Sequence, residues 1–283
     1  MVLFLVVAAT LLAFVLTSIR LQNVLVARIA CANAVDDIAL SAATWEARGL
    51  NIIAALNDGI AQCVRVIRWV SVLWAALAIA AAFGAGLPAF VRYSREARQR
   101  IADSWDTAHR LAAWAEKIRR ATPYLVLGEV GSLAREKQVI GVLAPVDPRG
   151  PHDGRNTLEL HLEPGPPLHL SEAILPVSTV LKRLKKVRIL KGPAKIVASL
   201  LEVALGGLDR SGAGPIRMLV PEGDFPERQY VRFAGAREVP SLPIPFPAGD
   251  TTKNVGTVAY AEPYGGDSAR MTWRSRLTDR SSK

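Results

Sequence analysis

Catalytic signatures are scarce in this chain of 283 residues. There is no His-Glu-x-x-His, no paired-cysteine spacing and no Gly-x-Ser-x-Gly. The glycine-rich stretch GGLDRSGAG at 206–214 carries neither the lysine of a phosphate-binding loop nor the Gly-x-Gly-x-x-Gly spacing of a dinucleotide fold. These absences argue against a zinc protease, a serine hydrolase of the nucleophile-elbow type and a P-loop enzyme. Only two cysteines are present, Cys31 and Cys63, too few for a disulfide-rich secreted module. A 50% hydrophobic content excludes a disordered tail. Proline is almost missing from the first ninety residues, which hold one of the eighteen, Pro88, together with only four of the twenty-one glycines. Long helices are therefore expected there and short strands and turns after Gly141.

Charge is also missing in two places. Val2 to Ile19 is an uncharged run of eighteen residues, long enough at 1.5 Å per residue to cross nearly all of a hydrocarbon core of about 30 Å. No Lys or Arg precedes it and helix-forming sequence follows, so it reads as a retained anchor rather than a cleaved signal. Trp69 to Val91 is the second uncharged run, with Trp69, Trp74, Phe90 and Tyr93 where interfacial aromatics would sit. It predicts a second crossing, the competing reading being a buried helical hairpin.

Between the runs, Leu21, Val24, Arg28, Cys31, Val35, Ile38, Ala42 and Trp45 recur at alternating steps of three and four. That stripe suits a partner helix or, equally, an amphipathic helix folding back on its own domain. Cys31 and Cys63 would pair only if this segment forms a hairpin in an oxidising compartment. Arginine-rich helix is expected from Arg92 to about Arg120, an interruption at Pro123, and a further helix from Tyr124 to Lys137. The chain thus divides into an anchor with an amphipathic helix (1–68), a second transmembrane helix (69–91), a helical stalk (92–140) and a β-rich domain (141–283).

In that last part, TLELHLE at 157–163 alternates, placing Leu158, Leu160 and Leu162 on one face and Glu159, His161 and Glu163 on the other. The PGPP turn at 164–167 then permits a second strand, LHLS. Strands are also expected at 216–220, 229–234, 255–262 and 271–277, with a helix in Ser178 to Ala204. Glu159, His161, Glu163 and His169 have zinc-binding side chains, but exposed polar strand surface explains them better. His109, between Asp106 and Arg110, reads as helix surface.

The net charge of +10 is densest at Lys182, Arg183, Lys185, Lys186, Arg188, Lys191 and Lys195, a stretch with no acid among its members and with apolar residues at helical spacing. A basic amphipathic helix fits an anionic lipid surface or a solvated face. Nucleic acid is the poorer partner, since no recognition motif or stacking pattern accompanies the patch.

The block IRLQNVLVARIACANAVDDIALSAATWEARGLNIIAALNDGI, from Ile19 to Ile60, resembles the pilin-like leader of TadE/TadG-type proteins of tight-adherence (Flp) pilus systems. The ARGLN and IAALN pair, which contains Asn51, Ala54, Leu56 and Asn57, looks like that of two-crossing membrane relatives in such systems. VAYAEPYGG (Val258 to Gly266) and WRSRL (Trp273 to Leu277) are similar to their C-terminal strand pair. The resemblance implies an α+β membrane protein with a long N-terminal pilin-like helix, a second transmembrane helix and a C-terminal β-rich domain. It implies a non-enzymatic inner-membrane protein without cofactor, catalytic residue or metal, acting by helix packing with protein partners of a pilus or secretion apparatus. The alternative is a membrane-tethered cytoplasmic adaptor or anionic-lipid-binding module, favoured by Arg92, Arg95, Arg98 and Arg100 beside the second run under the positive-inside rule. The two readings place the C-terminal domain on opposite sides of the membrane.

Overall fold

The computed structural model describes residues 1–82, 87–144, 158–174, 214–222, 229–239 and 254–278. Two helices dominate it: α1 (Val2–Ala82) and α2 (Leu87–Glu136). β1 (Ile140–Ala144), β4 (Val231–Glu238), β5 (Asn254–Tyr264) and β6 (Arg274–Leu277) form an antiparallel sheet in the order β1-β4-β5-β6. β2 (Leu162–Pro164) and β3 (Leu219–Pro221) make a small antiparallel pair. The described residues therefore form an α+β fold with a long N-terminal apolar helix.

α1 does not stop at its glycines. Gly49 is held where a Cβ would lie 2.6 Å from Thr122 Oγ1, so the glycine admits the neighbouring helix instead of ending its own. From Ala39 to Ala81, α1 places buried residues at unbroken alternating steps of four and three, including Ala43, Glu46, Leu50, Ile53, Asn57, Ile60 and Ile67. That seam takes α2 antiparallel. Lys137 pairs with Asp37 at 3.0 Å at one end, and the Trp74 indole donates to Ser94 Oγ at 2.8 Å at the other. α2 likewise continues through Pro123. The missing N–H costs one helical hydrogen bond, but Ala115, Val126 and Val130 on either side are buried in the shared core and hold the axis.

This continuity revises two expected boundaries. The division at 68/69 falls inside α1 and the division at 91/92 inside α2, which also runs unbroken past Pro123. It also separates the two apolar runs, whose centres lie at opposite parts of one helix, about 100 Å apart. A single bilayer about 30 Å thick in its core cannot hold both while α1 remains one helix. The described residues of the second run pack where α1 ends and α2 begins, with Trp74, Ala75, Ala78, Ala81 and Phe90 buried between the two helices.

The sheet packs on the early part of α1. Ala39, Ala42 and Ala43 are small enough to let strands approach, and Val35, Ile38, Val231, Phe233 and Ala261 fill the space between. Gly235 sits so close that a Cβ would lie 2.7 Å from Val35 Cγ2. The Cys31 thiol donates to the Val255 carbonyl at 3.3 Å, and Thr44 and Ser275 hydroxyls meet at 2.7 Å.

The expected hairpin after Leu158 is replaced by a longer-range pairing. Leu162 registers with Pro221, and Leu168 bridges Ile216, so the partner strand comes from far downstream and not from LHLS. The strands expected from 216, 229, 255 and 271 correspond to β3, β4, β5 and β6, with shifted ends. The helix expected in 178–204 lies outside the described residues.

Candidate functional site

α1 is the spine from which each candidate position can be read. Its first turns are fully exposed, and none of its most apolar window is buried within the chain. The polar side chains in this run need no solvent. Thr10 donates to the Val6 and Val7 carbonyls, Thr17 to Ala13 at 2.8 Å and Ser18 to Phe14 at 2.9 Å. Hydroxyls satisfied by the preceding turn are compatible with lipid, where an unpaired polar group is costly.

The stripe begins beyond Arg20 and is split by the fold. Leu21 is 62% exposed and Val24 half-buried, whereas Cys31, Val35, Ile38 and Ala42 are buried under the sheet and Trp45 packs beside them. Arg28 points outward. From Cys31 onward the stripe is thus spent inside its own domain and offers nothing to a separate helix.

The asparagines of the ARGLN and IAALN pair clasp the C-terminal segment to α1. Asn51 Nδ2 donates to the Trp273 carbonyl at 3.1 Å, and Asn51 Oδ1 accepts from the Trp273 amide at 3.0 Å. Asn57 Nδ2 donates to the carbonyls of Leu219 at 2.7 Å and Ser268 at 2.8 Å. Ala54 is buried between them and Leu56 packs against the Leu50, Leu160 and Trp273 cluster. One amide therefore joins α1 to β3 and to the loop before β6. Replacing Asn57 with leucine should lower stability by about 1–2 kcal/mol, because the buried Leu219 carbonyl and the part-buried Ser268 carbonyl lose their donor while the unpartnered Asn57 Oδ1 is removed. A urea midpoint unchanged from wild type would show that the clasp carries no load.

A buried polar group went unmarked in the sequence. Glu46 lies at a seam position, fully buried, and burial pushes its carboxyl up to about 8 while the Gln229 amide beside it offsets part of the shift. Gln229 is itself fully buried. Its Oε1 accepts from the His161 amide at 2.9 Å and lies 3.1 Å from His161 Nδ1, an acceptor that requires the ring proton on that nitrogen. Gln229 and His161 thus tie the residue pair before β4 to the segment before β2, and Glu46 of α1 is buried beside Gln229 with both carboxyl oxygens unpartnered. The signal was present: an acid occurs where the 4-3 spacing of Ala39, Ala43, Leu50 and Ile53 demands an apolar residue.

His161 is buried, contrary to its expected place on an exposed face beside Glu159 and Glu163. Leu158, Leu160 and Leu162 are buried as the alternation required, but only residues from Leu162 are in a strand, so the chain turns His161 inward as well. Glu159, Glu163 and His169 remain exposed, and no metal-holding cluster of His, Cys, Asp and Glu occurs among the described residues. His109 is half-buried with its ring edge-on to Trp105 at 5.5 Å between centroids.

Cys31 and Cys63 are free thiols on the same helix, about 48 Å apart along its axis, so they cannot pair within one chain. The basic patch from Lys182 to Lys195 lies outside the described residues, as does GGLDRSGA at 206–213. No family model, curated protein or solved structure matches the chain. The described residues combine an exposed apolar helix end, a two-helix body clasped to a sheet, and exposed arginines near the start of α2.

Proposed function

We propose that this chain is a non-enzymatic, membrane-anchored protein of a bacterial pilus-type assembly apparatus, held in the inner membrane by residues 2–19 of α1. The observation that carries the reading is the apolar start of α1, which stands clear of the domain while the same helix forms the domain's core. Such a helix transmits its position in the bilayer directly to the folded body. It is also free on all sides to pack laterally against the helices of protein partners. Lateral packing by residues 2–19 replaces docking by the stripe from Cys31 to Trp45 as the mechanism, since those residues support the sheet. The resemblance of Ile19 to Ile60 to pilin-like leaders supports the assignment to a pilus apparatus.

The test is a swap of residues 2–19 for an unrelated polyleucine span, beside their outright deletion. Deletion should release the protein to alkaline carbonate with its circular dichroism preserved. The swap should keep it in the membrane but remove co-purification with apparatus components. A deleted protein that resists carbonate would sink the anchor, and full co-purification after the swap would sink lateral packing.

A further inference from the structure

The four-stranded sheet has two faces, and α1 covers one of them. Val231, Phe233 and Gly235 of β4 turn towards α1, with Leu143 of β1 and Ala259 and Ala261 of β5 on the same side. On the opposite face the register sets two rows across three strands: Ile140, Ala236 and Gly256 in one, Val142, Ala234 and Val258 in the next. The uncovered face of an antiparallel sheet is ordinarily polar. Here none of the six positions carries a polar side chain. Ile140 is 86% exposed, Val142 66% and Val258 44%.

Gly256 supplies a second, independent observation. A Cβ there would meet nothing nearer than the Gly235 carbonyl at 3.6 Å, and the backbone is not left-handed, so neither space nor conformation within the chain calls for glycine. A glycine inside a strand weakens it and marks a place where another surface approaches closely. The face therefore carries a projection, Ile140, and a hollow, Gly256, at one level on the two strands that flank β4.

We propose that this face is a contact between two copies of the chain, packed sheet on sheet about a two-fold axis parallel to the strands. Such an axis keeps each row at its own level and exchanges the two sides of β4. Ile140 of each copy then seats on Gly256 of the other, and Val142 meets Val258, so one surface supplies both halves of the fit. The proposal rests on the reading that residues 2–19 hold the protein in a bilayer. α1 runs alongside β5 in the same direction, since Cys31 meets Val255 while Thr44 meets Ser275, the residue paired with Pro263. The axis therefore sends both anchors into one membrane. Lipid is not the occupant, because from residue 19 to residue 31 α1 rises about 18 Å, and the sheet begins only there and extends away from the anchor. Six positions are few beside the about 20–30 residues on each side of a standard interface, so the contact holds between copies already confined to one bilayer.

The experiment uses the full chain, with Cys63 replaced by serine, dilute in phosphatidylcholine vesicles. Flotation with the vesicles is read first, and a protein that stays behind overturns the anchor and this contact with it. Copies carrying Ile140→Cys are mixed with copies carrying Gly256→Cys and oxidised with copper phenanthroline. The mixture should give disulfide-linked dimers, and either variant alone at least tenfold fewer. Val142→Glu in both copies, at an exposed position, should cut the yield at least tenfold with circular dichroism unchanged. Floating protein that gives no linked dimer in the mixture overturns the dimer and leaves the anchor standing. So does linkage that is as strong from one variant alone, or that survives Val142→Glu, since it would belong to chance collision or to another surface.

Discussion

Val35→Asp is expected to abolish the folded α+β domain while leaving the protein in the membrane. Val35 is fully buried between α1 and the sheet, at the place where Gly235 allows the closest approach of strand to helix. A carboxylate there has neither water nor a basic partner in the cluster, which consists of Ile38, Val139, Phe233, Ala259 and other apolar residues. The cost of such a burial, several kcal/mol, is comparable with the whole stability of a domain, about 5–15 kcal/mol. Ile38→Asp should behave the same way. Leu21→Asp, three stripe positions before Cys31 and largely exposed, should leave the domain intact. Limited proteolysis of membrane preparations separates the cases: the Val35 and Ile38 variants should lose the protease-resistant core and the Leu21 variant should keep it. A resistant core in the Val35→Asp protein would mean that the sheet does not rest on α1.

The contrast between these positions shows how the stripe misleads when read from sequence. Periodicity of three and four reports that a helix face is covered, and it is silent on what covers it. The spacing from Leu21 to Trp45 was correct as far as burial goes after Cys31, but the cover is a sheet formed some two hundred residues later. The longer seam from Ala39 to Ala81 was harder to see because Glu46, Asn57 and Ser71 interrupt its apolar character. They are accommodated differently: Asn57 donates to the Leu219 and Ser268 carbonyls, Ser71 Oγ donates to the Ile67 carbonyl of its own helix at 2.7 Å, and Glu46 lies buried beside Gln229 with its carboxyl pushed towards the neutral form. Glycine and proline misled in the same direction. Gly49 and Pro123 disfavour an isolated helix, yet both sit where the opposing helix supplies the packing that compensates. Local signals were sufficient for β5, where a tyrosine- and valine-containing alternation is bounded by turn residues. They failed for β2, whose partner β3 is not its neighbour in sequence.

The asparagines illustrate a different limit. Asn51 and Asn57 stood out by resemblance, with no physical role attached. Their amides reach the backbone at Trp273, Leu219 and Ser268, so both ends of the family-like pattern, ARGLN and WRSRL, are in contact with each other. The motif is thereby explained as the joint between the spine and the chain's end.

Glu46→Gln should stabilise the domain, and by an amount that grows with pH. The carboxyl titrates near its ordinary value of 4.5 in the unfolded chain and at about 8 in the folded one, because burial disfavours its charge. The folded state therefore holds the proton more tightly. Stability from this group is complete below about pH 4.5, declines as pH rises through the interval, and is lost above about 8. Integrated over that interval, the wild-type protein gives up on the order of 5 kcal/mol relative to an uncharged side chain of the same shape. Glutamine keeps the volume without the charge, so the variant and the wild type should have similar urea midpoints near pH 4.5 and diverge until about pH 8, where the gap levels off. His161 contacts Gln229 and is unaltered in both proteins. Parallel pH profiles for the two proteins would place Glu46 in contact with water or a cation. A widening gap would identify the spine's buried acid as the point where alkaline pH loosens α1 from the strands that rest on it.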